Sequence, residues 1–317
     1  MSLPPSVLVI GTVFIDCKGF ANQNYQPSTR NLGNIQFVHG GVGRNVAENL
    51  AHLQVPACFV SSVDNTAIGI EVIERLQRAT VTTTYLARSE QRGMGMWLAI
   101  LDEHGNLSGS ISQMPDLALL EALISDKGKE MVAQSTHVAL ELDLNLRIAR
   151  SVIQLAVEGN KPVYGVPGNL DVILSHKELL AHLDCFICNN FEADLFLELD
   201  FTSLPITQKQ AALMQFVDRV GVGAMVVTLG KEGAVYYNPR TGEVGYQPVF
   251  PVQLVDTSGA GDAFFSGTVM GLVKGLSLKD AVICGTKVAG WTIESKENTC
   301  LELEEKIKQD AFFSRLG

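Results

Sequence analysis

The stretch that decides the fold of this chain reads Val255-Asp-Thr-Ser-Gly-Ala-Gly-Asp-Ala-Phe-Phe-Ser-Gly267. A turn-forming cluster in its first half leads directly into a segment that is apolar nearly all round. A helix with apolar residues on every side is buried inside a large domain. We therefore expect the amino terminus of this helix to be held rigidly at one point of the core.

The start of this helix has the composition of an anion site. Gly259, Ala260 and Gly261 are small, so their backbone N–H groups can converge on one anion at the positive end of the helix dipole. Asp262 adds a carboxylate at the same end. This combination suits phosphoryl transfer, because the amides stabilise the migrating group and the carboxylate accepts a proton from the attacking hydroxyl.

A second glycine-rich stretch reads Gly40-Gly-Val-Gly-Arg-Asn-Val-Ala47. Gly40 and Gly41 permit close approach of the backbone to a ligand. Arg44 and Asn45 offer a guanidinium and an amide in the first turn of a predicted helix, so we expect them at a substrate pocket. The competing interpretation of Arg44 is a surface ion pair with Glu48, four residues further on.

Ordinary turns and helix starts would explain both stretches without catalysis, with Ser258 or Asp256 capping the helix of the first stretch. The chain contains neither the G-x-x-x-x-G-K-[ST] phosphate loop nor the G-x-G-x-x-G dinucleotide fingerprint. A dehydrogenase is the obvious rival for an α/β chain of this kind, and it lacks its main sequence support.

The composition excludes several classes of protein. The 317 residues are 46% hydrophobic and carry a formal net charge of −10, so global disorder is excluded. We expect small-molecule partners, and neither nucleic acid nor a membrane surface, because no lysine- and arginine-rich run offsets this charge. The apolar runs are too short to span a membrane, and no positively charged segment precedes the first of them, so we expect no signal peptide. Six cysteines in so long a chain indicate reducing cytosol rather than a disulfide framework.

Short apolar segments rich in β-branched residues alternate with segments of helical periodicity. Buried strands are predicted at residues 7–10, 57–60, 137–140, 162–166, 185–188 and 224–229. Helices are predicted at residues 43–53, 67–78, 144–157, 207–220, 263–274 and 278–292. This alternation predicts one α/β domain over residues 1–317, with a doubly wound, mainly parallel sheet flanked by helices.

One region breaks the alternation. Residues 80–88, 94–101 and 107–113 are three strand-like segments in succession, and the turn-rich residues 102–106 join the second to the third. The group is too small to fold alone. We expect a small β-sheet lid, contributed mainly by about 80–113 and by about 12–38.

Together these features resemble the PfkB (ribokinase-like) family of carbohydrate and nucleoside kinases. Asp256-Thr-Ser-Gly-Ala-Gly-Asp262 is similar to the C-terminal signature of the family, and the Gly40-Gly41 loop with Asn45 is similar to the N-terminal one. The similarity extends over nearly the whole chain. It implies a ribokinase-like fold with a β-sheet lid, and a homodimer formed through that lid.

The resemblance also implies roles for the two signatures and for the first strand. Asp262 is the expected general base, and Gly259, Ala260 and Gly261 bind the transferring phosphoryl group. Residues 11–16 resemble the first-strand segment whose aspartate binds substrate hydroxyls in the family, so Asp16 is the expected ligand of those hydroxyls.

Two further motifs match the nucleotide site of the family. Asn189 and Glu192 form its N-x-x-E element, linked to phosphate and to Mg²⁺ held through water. Thr228, Gly230 and Gly233 form its T-x-G-x-x-G stretch, which lines the nucleotide. The implied cofactors are ATP and Mg²⁺, with K⁺ as a further candidate beside Asp256.

Within the family, residues 40–47 are most similar to the pseudouridine kinase branch, since ribokinases typically carry lysine and alanine in place of Val42 and Arg44. Val166-Pro167 and Ile187-Cys188 depart from the usual Asp-Pro and Lys-Pro pairs. The sequence thus predicts a cytoplasmic kinase that transfers the γ-phosphoryl group of ATP to a hydroxymethyl oxygen of a ribosyl or related sugar, with pseudouridine as the leading substrate.

Three alternatives stay open. A free sugar such as ribose or fructose is one. A sugar phosphate is another, for which Arg30, Arg44 or Arg92 could supply the necessary cation. The third is a non-catalytic sugar- or nucleoside-binding regulator on the same fold. Asp262 beside a glycine-rich cradle argues against it, because a sensor needs no base.

Overall fold

A nine-stranded sheet forms the centre of the molecule in the computed structural model, which describes residues 4, 6–104, 106–168 and 170–316. Its strands, in spatial order, are β13 (Glu243–Gln247), β12 (Ala234–Asn238), β11 (Met225–Thr228), β10 (Cys185–Asn189), β9 (Val163–Val166), β8 (His137–Glu141), β1 (Val7–Ile10), β4 (Ala57–Asp64) and β5 (Leu86–Ser89). The hairpin β12–β13 is antiparallel at one edge, and the other strands are parallel to one another. The predicted doubly wound, mainly parallel sheet is confirmed.

Helices cover both faces of this sheet. One face packs against α1 (Val42–His52), α2 (Ala67–Arg78), α8 (Ala260–Val273), α9 (Leu278–Thr292) and α10 (Leu303–Gln309). The other packs against α3 (Ala118–Ala133), α4 (Leu146–Glu158), α5 (Asp171–Ser175), α6 (Asn190–Leu197) and α7 (Ile206–Val220). Side chains alternate between these layers: Val7 and Val9 face the first, and Leu8 and Ile10 face the second. In the described part of the chain, no helix has the length and apolar character needed to cross a bilayer.

The sheet reverses its strand order beside β1, which lies between β4 and β8. Open α/β sheets bind ligands beyond the carboxyl ends of the strands at such a point. Gly11 follows β1, and Glu141 ends β8. The topology therefore places the loops after β1 and β8 at the expected ligand crevice.

A separate four-stranded sheet forms the predicted lid. Its strands, in spatial order, are β3 (Gly33–Gly40), β2 (Phe14–Ala21), β6 (Gly95–Leu101) and β7 (Leu107–Gln113). The β2–β6 pair is parallel, and the two outer pairs are antiparallel. Gly105, in the predicted turn between the last two strands, lies outside the described residues.

The prediction that residues 80–88 belong to the lid is wrong. Thr82 forms a bridge with Cys58, and β5 pairs in parallel with β4 at the edge of the main sheet. The chain leaving α2 runs alongside β4, whose edge N–H and C=O groups need partners. Val81 is buried in the same core layer as α2. The lid therefore comprises residues 14–40 and 95–113 rather than about 12–38 and 80–113.

The other predicted strands and helices are confirmed, and α2, α9 and β1 have the predicted bounds. Helix α8 begins at Ala260 rather than at residue 263, which brings Gly261 and Asp262 into its first turn. Most of its side chains are buried, as its apolar sequence predicts.

Candidate active site

A cavity of about 480 Å³ lies at the reversal point of the sheet, between the lid and the helix starts. Six parts of the chain meet there: the segment from β1 to α1, the connection after β7, the loop after β8, the loop after β9, the start of α8 and a loop between α9 and α10. The lining residues are Thr12, Phe14, Asp16, Gly40, Gly41, Val42, Asn45, Met114, Pro115, Leu117, Glu141, Asp143, Leu144, Gly168, Ser258, Gly259, Asp262 and Asn298.

Two helices begin at this cavity. Helix α1 follows Gly41 and α8 follows Gly259, and the two helices pack against each other. Gly41 has a φ of 94°, and a Cβ on it would come within 2.5 Å of the Thr12 carbonyl oxygen. The first N–H groups of a helix have no partner inside the helix. Both glycine-rich stretches thus direct the positive ends of helices at one space.

Asp262 and Asn45 connect these two helix starts directly. The Asn45 Nδ2 donates a hydrogen bond of 2.6 Å to the Asp262 Oδ2. Burial raises the pKa of Asp262 to about 6, against the opposing effects of the Asn45 hydrogen bond and the Arg44 charge. A carboxylate with this pKa is mostly ionised at neutral pH, and it is more basic than an exposed aspartate.

The residues before Asp262 form a tighter turn than expected. The Ala260 N–H donates to the Thr257 carbonyl at 3.2 Å, so this amide takes part in the turn. Gly259 has a φ of 75°, and a Cβ there would collide with the Asn298 carbonyl oxygen. Gly261 is exposed, with open space where a Cβ would lie. The phosphoryl-binding roles of Gly259, Ala260 and Gly261 stay predictions.

The structure places the other predicted substrate ligands at the cavity, with one exception treated below. Asp16 lies on β2 beside Gly40, whose added Cβ would be 3.4 Å from the Asp16 Oδ1. Burial raises the pKa of Asp16, against the opposing charges of Lys18 and Arg44. Asp16, Gly40, Gly41 and Asn45 therefore surround one space, although their contacts with a substrate stay predictions.

The exception is Arg44, which forms the expected ion pair with Glu48, but inside the protein rather than on its surface. Its side chain has 0% exposure and lies behind the cavity wall, so it neither faces a substrate nor forms a surface ion pair. The guanidinium instead lies inside the protein between Glu48, the carbonyls of His39 and Gly40, and the side chain of Asn45.

Two acidic residues at the cavity were missed by the sequence analysis. Glu141 is 8% exposed and accepts hydrogen bonds from the Thr12 N–H at 2.8 Å and from its hydroxyl. Burial raises the pKa of Glu141 to about 7. Asp143 accepts from the N–H groups of Gly168 at 2.9 Å and Ile173 at 3.0 Å, and so holds the loop before α5. An acid directly after a predicted buried parallel strand was the signal available.

Asn298 was also missed, and no local pattern marks it. Its side chain is 5% exposed and lines the cavity from a loop near the carboxyl end of the chain. Its Nδ2 donates to the His39 carbonyl at 3.0 Å, which joins this loop to the end of lid strand β3.

Asn189 and Glu192 start α6 as a capping box. The Asn189 Oδ1 accepts from the Glu192 N–H at 2.9 Å, and the Glu192 Oε2 accepts from the Asn189 N–H at 2.7 Å. Burial raises the pKa of Glu192, and the nearby carboxylates of Asp143 and Asp262 raise it further.

This acidic environment fits a Mg²⁺ held mainly through water. In the described residues, no three acidic, histidine or cysteine side chains converge closely enough to ligate a metal directly. Mg²⁺ keeps several of its waters and is bound in kinases by one or two protein oxygens together with substrate phosphates. Asn189 and Glu192 are the residues that would hold such an ion.

The predicted nucleotide residues lie beside this region, outside the lining of the cavity. Thr228 ends β11 and is paired in register with Asn189 on β10. Gly230 and Gly233 follow with φ values of 56° and 106°. These residues therefore lie at the carboxyl ends of the neighbouring strands β10 and β11, and their contacts with a nucleotide stay predictions.

Asp256 lies in the turn that precedes α8. Its Oδ1 accepts from the Ser258 N–H at 2.8 Å, and its own N–H donates to the Ile293 carbonyl at 3.2 Å. Burial acts to raise the pKa of Asp256, but hydrogen bonds from Ser258 and Thr257 together with the Lys18 charge outweigh it, so the pKa is lowered. The carboxylate is charged at neutral pH, so it can offer a negative charge to a cation.

Comparison with known proteins agrees with this geometry. Residues 4–304 match the model of the pfkB family carbohydrate kinases. The guanosine-inosine kinase of Exiguobacterium acetylicum is 36% identical over 292 residues, covering 92% of this chain and 95% of that protein. The pseudouridine kinase of Escherichia coli (strain K12) is 24% identical over 276 residues, covering 87% of this chain and 86% of that protein.

Solved structures show the same fold. The ribokinase of Arabidopsis thaliana, complexed with ribose and ATP, superposes with a TM-score of 0.80 and 21% identity, covering 96% of this chain and 99% of that one. A family match across nearly all of the chain, the ribokinase-like fold and the meeting of both signatures at one cavity lead to the same assignment. The chain belongs to the PfkB family of carbohydrate kinases, phosphotransferases that use an alcohol group as acceptor.

Proposed function

We propose that this kinase phosphorylates the 5′-hydroxyl of a nucleoside with ATP as donor. The observation that carries the proposal is the mixed lining of the cavity. Polar side chains such as Asp16, Asn45 and Asp262 share it with a set of apolar ones: Phe14, Val42, Met114, Pro115, Leu117 and Leu144. A free pentose has hydroxyl groups on all sides and gains little from apolar contacts. A nucleobase presents an aromatic face that such contacts favour.

The chemistry follows from the positions of the site residues. Asp16, Gly41 and Asn45 hold the ribose hydroxyls, and Asp262 accepts the proton of the 5′-hydroxyl as that oxygen attacks the γ-phosphorus. The start of α8 at Gly259 and Gly261 stabilises the charge on the transferring group, and the bridge to ADP breaks. Mg²⁺, when bound near Asn189 and Glu192, neutralises charge on the phosphate oxygens.

A purine ribonucleoside is our first candidate, and pseudouridine is the second. The relative with 36% identity is named a guanosine-inosine kinase, and it covers nearly the whole chain. The similarity of residues 40–47 to the pseudouridine kinase branch, together with the relative at 24% identity, favours the second candidate. The two differ in the base and share the ribosyl 5′-hydroxyl, so the proposed mechanism is the same for both.

The test is ADP release over a panel of guanosine, inosine, adenosine, pseudouridine, uridine, ribose, fructose and fructose phosphates. We expect a nucleoside to have the highest kcat/KM, because binding energy from the base helps to position the 5′-hydroxyl. Phe14→Ala should raise KM for the nucleoside more than KM for ribose. Phe20→Ala, a matched change on the same strand outside the cavity lining, should leave that ratio unchanged. Faster turnover of ribose or fructose than of every nucleoside would overturn the proposal.

We also propose a homodimer through the lid, supported by an exposed apolar row on one of its faces. The strand register aligns Phe37, Cys17, Leu98 and Ile111 across the four strands. Phe37 is 60% exposed and Ile111 69% exposed, and contiguous apolar surface of this kind marks interaction sites. Sedimentation should show a dimer that Phe37→Lys dissociates. A parent protein that sediments as a monomer would contradict this assignment.

Two further predictions concern the environment of the enzyme. Asp256 is our predicted contact for a monovalent cation, so replacing K⁺ by Na⁺ in the assay should lower kcat.

The cytoplasm is our predicted compartment, and the free state of all six cysteines supports it.

A further inference from the structure

A chain of hydrogen bonds runs from the protein interior to the proposed base. The Glu48 Oε2 accepts from the Arg44 Nη1 at 2.5 Å, and the Arg44 Nη2 donates to the Asn45 Oδ1. The Asn45 Nδ2 in turn donates to the Asp262 Oδ2 at 2.6 Å. Arg44 has no exposed surface, so it acts on the cavity through Asn45.

We propose that Arg44 is a positioning residue, which fixes the orientation of the Asn45 amide so that Asp262 faces an N–H donor. A guanidinium has donors and no acceptor, so the amide edge beside it must be the oxygen. The NH₂ edge is then directed at Asp262. A donor of this kind favours the ionised carboxylate, whereas an amide turned the other way would favour the protonated acid, which cannot act as a base.

Arg44 also fixes the backbone around the substrate loop. Its Nε donates to the Gly40 carbonyl at 3.2 Å, and its Nη2 donates to the His39 carbonyl at 2.6 Å. The planar guanidinium thus joins the end of lid strand β3 to the first turn of α1. Lysine carries a single ammonium on a flexible stem and cannot reproduce this set of contacts.

The position of Arg44 is unfavourable for the helix that contains it. A cation in the first turn of α1 is repelled by the positive end of the helix dipole. Burial lowers the pKa of Arg44, against the opposing charge of Glu48. Local departures of this kind occur in proteins chiefly at functional sites.

The surroundings of Asp262 make this donor important. Asp262 faces the Arg44 charge and the Asn45 amide from α1. On its other sides are two carboxylates, Glu141 on β8 and Glu192 on α6. Burial raises the pKa of both, and the Asp262 charge raises each further. Loss of Arg44 would leave Asp262 among acids, with a free amide beside it.

This inference rests on the proposed role of Asp262, and a pH profile tests it. For Arg44→Met, measured with the best substrate of the panel, we expect the acid limb of the kcat–pH profile to move up by about one pH unit. Well below the limb kcat should therefore be about tenfold lower than in the parent, with little change on the alkaline side.

Arg75→Met is the matched control. Arg75 also binds Glu48, at 2.9 Å, and has no hydrogen bond to Asn45 or Asp262 among the described residues. Its loss should lower the melting temperature and leave the acid limb in place. Because Arg75 and Thr299 still bind Glu48 in Arg44→Met, that variant keeps partners for the buried carboxylate.

If Arg44→Met does not fold, Arg44→Lys replaces it, with a smaller shift expected in the same direction because the charge is kept. An equal loss of kcat at every pH, with the limb unmoved, would overturn the inference. An equal shift in Arg75→Met would also overturn it, since the charge of the network and not the Asn45 contact would then be responsible. The parent enzyme could turn over no nucleoside and still show an acid limb that shifts in Arg44→Met. That result would contradict the proposed substrate and leave the role of Arg44 intact.

Discussion

The two helices that begin at the cavity differ in their first turns. Helix α8 carries an acid there, Asp262, as the helix dipole favours. Helix α1 carries no acid and a fully buried cation, Arg44, which the dipole disfavours. Their glycine-rich sequences look alike, but in our proposal α8 presents the general base and α1 holds the residue that orients it. Similar helix starts can thus have separate tasks at one site.

The largest expected effect comes from removing the acid of α8. Asp262→Asn keeps the shape and can still accept the Asn45 hydrogen bond, but it cannot accept a proton. Positioned general bases contribute roughly 10²–10⁴-fold, so we expect kcat to fall at least about 100-fold with little change in the Kd for ATP.

Asp280→Asn is the control for this change. Asp280 occupies the first turn of α9 and does not line the cavity. Its substitution should leave kcat unchanged. Near-full turnover by Asp262→Asn would mean that Asp262 is only a helix-start residue.

A smaller effect is expected at the start of α1. Gly41→Ala would force an alanine to a φ of 94° and bring its Cβ against the Thr12 carbonyl. Strain of this kind costs about 1–3 kcal/mol, and the substrate loop should shift, so urea unfolding should show lower stability and the nucleoside KM should rise. Gly242→Ala is the control. Gly242 also has a positive φ, 71°, but an added Cβ would meet open space, so this substitution shows the effect of backbone strain without a collision. Equal effects of the two substitutions on KM would contradict a special role for the α1 start.

The smallest effect is on stability as a function of pH. Burial raises the pKa of Asp262 from 3.8 to about 6, so the folded state retains the proton to higher pH than the unfolded state. Ionisation of this group therefore destabilises the fold as the pH rises from about 4 to about 6. The melting temperature of Asp262→Asn relative to the parent should be lowest near pH 4 and rise to a plateau above about pH 6. A relative melting temperature that falls over this range would show that the carboxylate stabilises the fold.

The layers of the fold could be predicted because the strands of a parallel sheet are buried on both faces. Residues 7–10 and 138–140 are continuous apolar runs, and the strands that contain them are neighbours at the centre of the sheet. Residues 80–88 were assigned to the wrong sheet, since a strand-like composition does not specify the partner strand. Pairing with β4 depends on where α2 ends, and that is a property of the packed structure.

Only part of the site could be predicted, because contacts between residues far apart in sequence are also a property of the packed structure. Asp262 and Asn45 are marked by their motifs, although their contact joins residues 217 positions apart. The burial of Arg44 depends on Glu48 being enclosed by Arg75 and by Thr299, which is 251 residues away from it. A helical i, i+4 pair looks the same in sequence whether it is on the surface or in the interior.

A double-mutant cycle tests most directly whether α1 acts on the chemistry through the acid of α8. The measurement is kcat for Arg44→Met, Asp262→Asn and the double variant at a pH below the acid limb of the parent. If Arg44 acts through Asn45 on the Asp262 carboxylate, adding Arg44→Met to Asp262→Asn lowers kcat no further. If the two losses multiply, Arg44 acts independently of Asp262 and the account is contradicted.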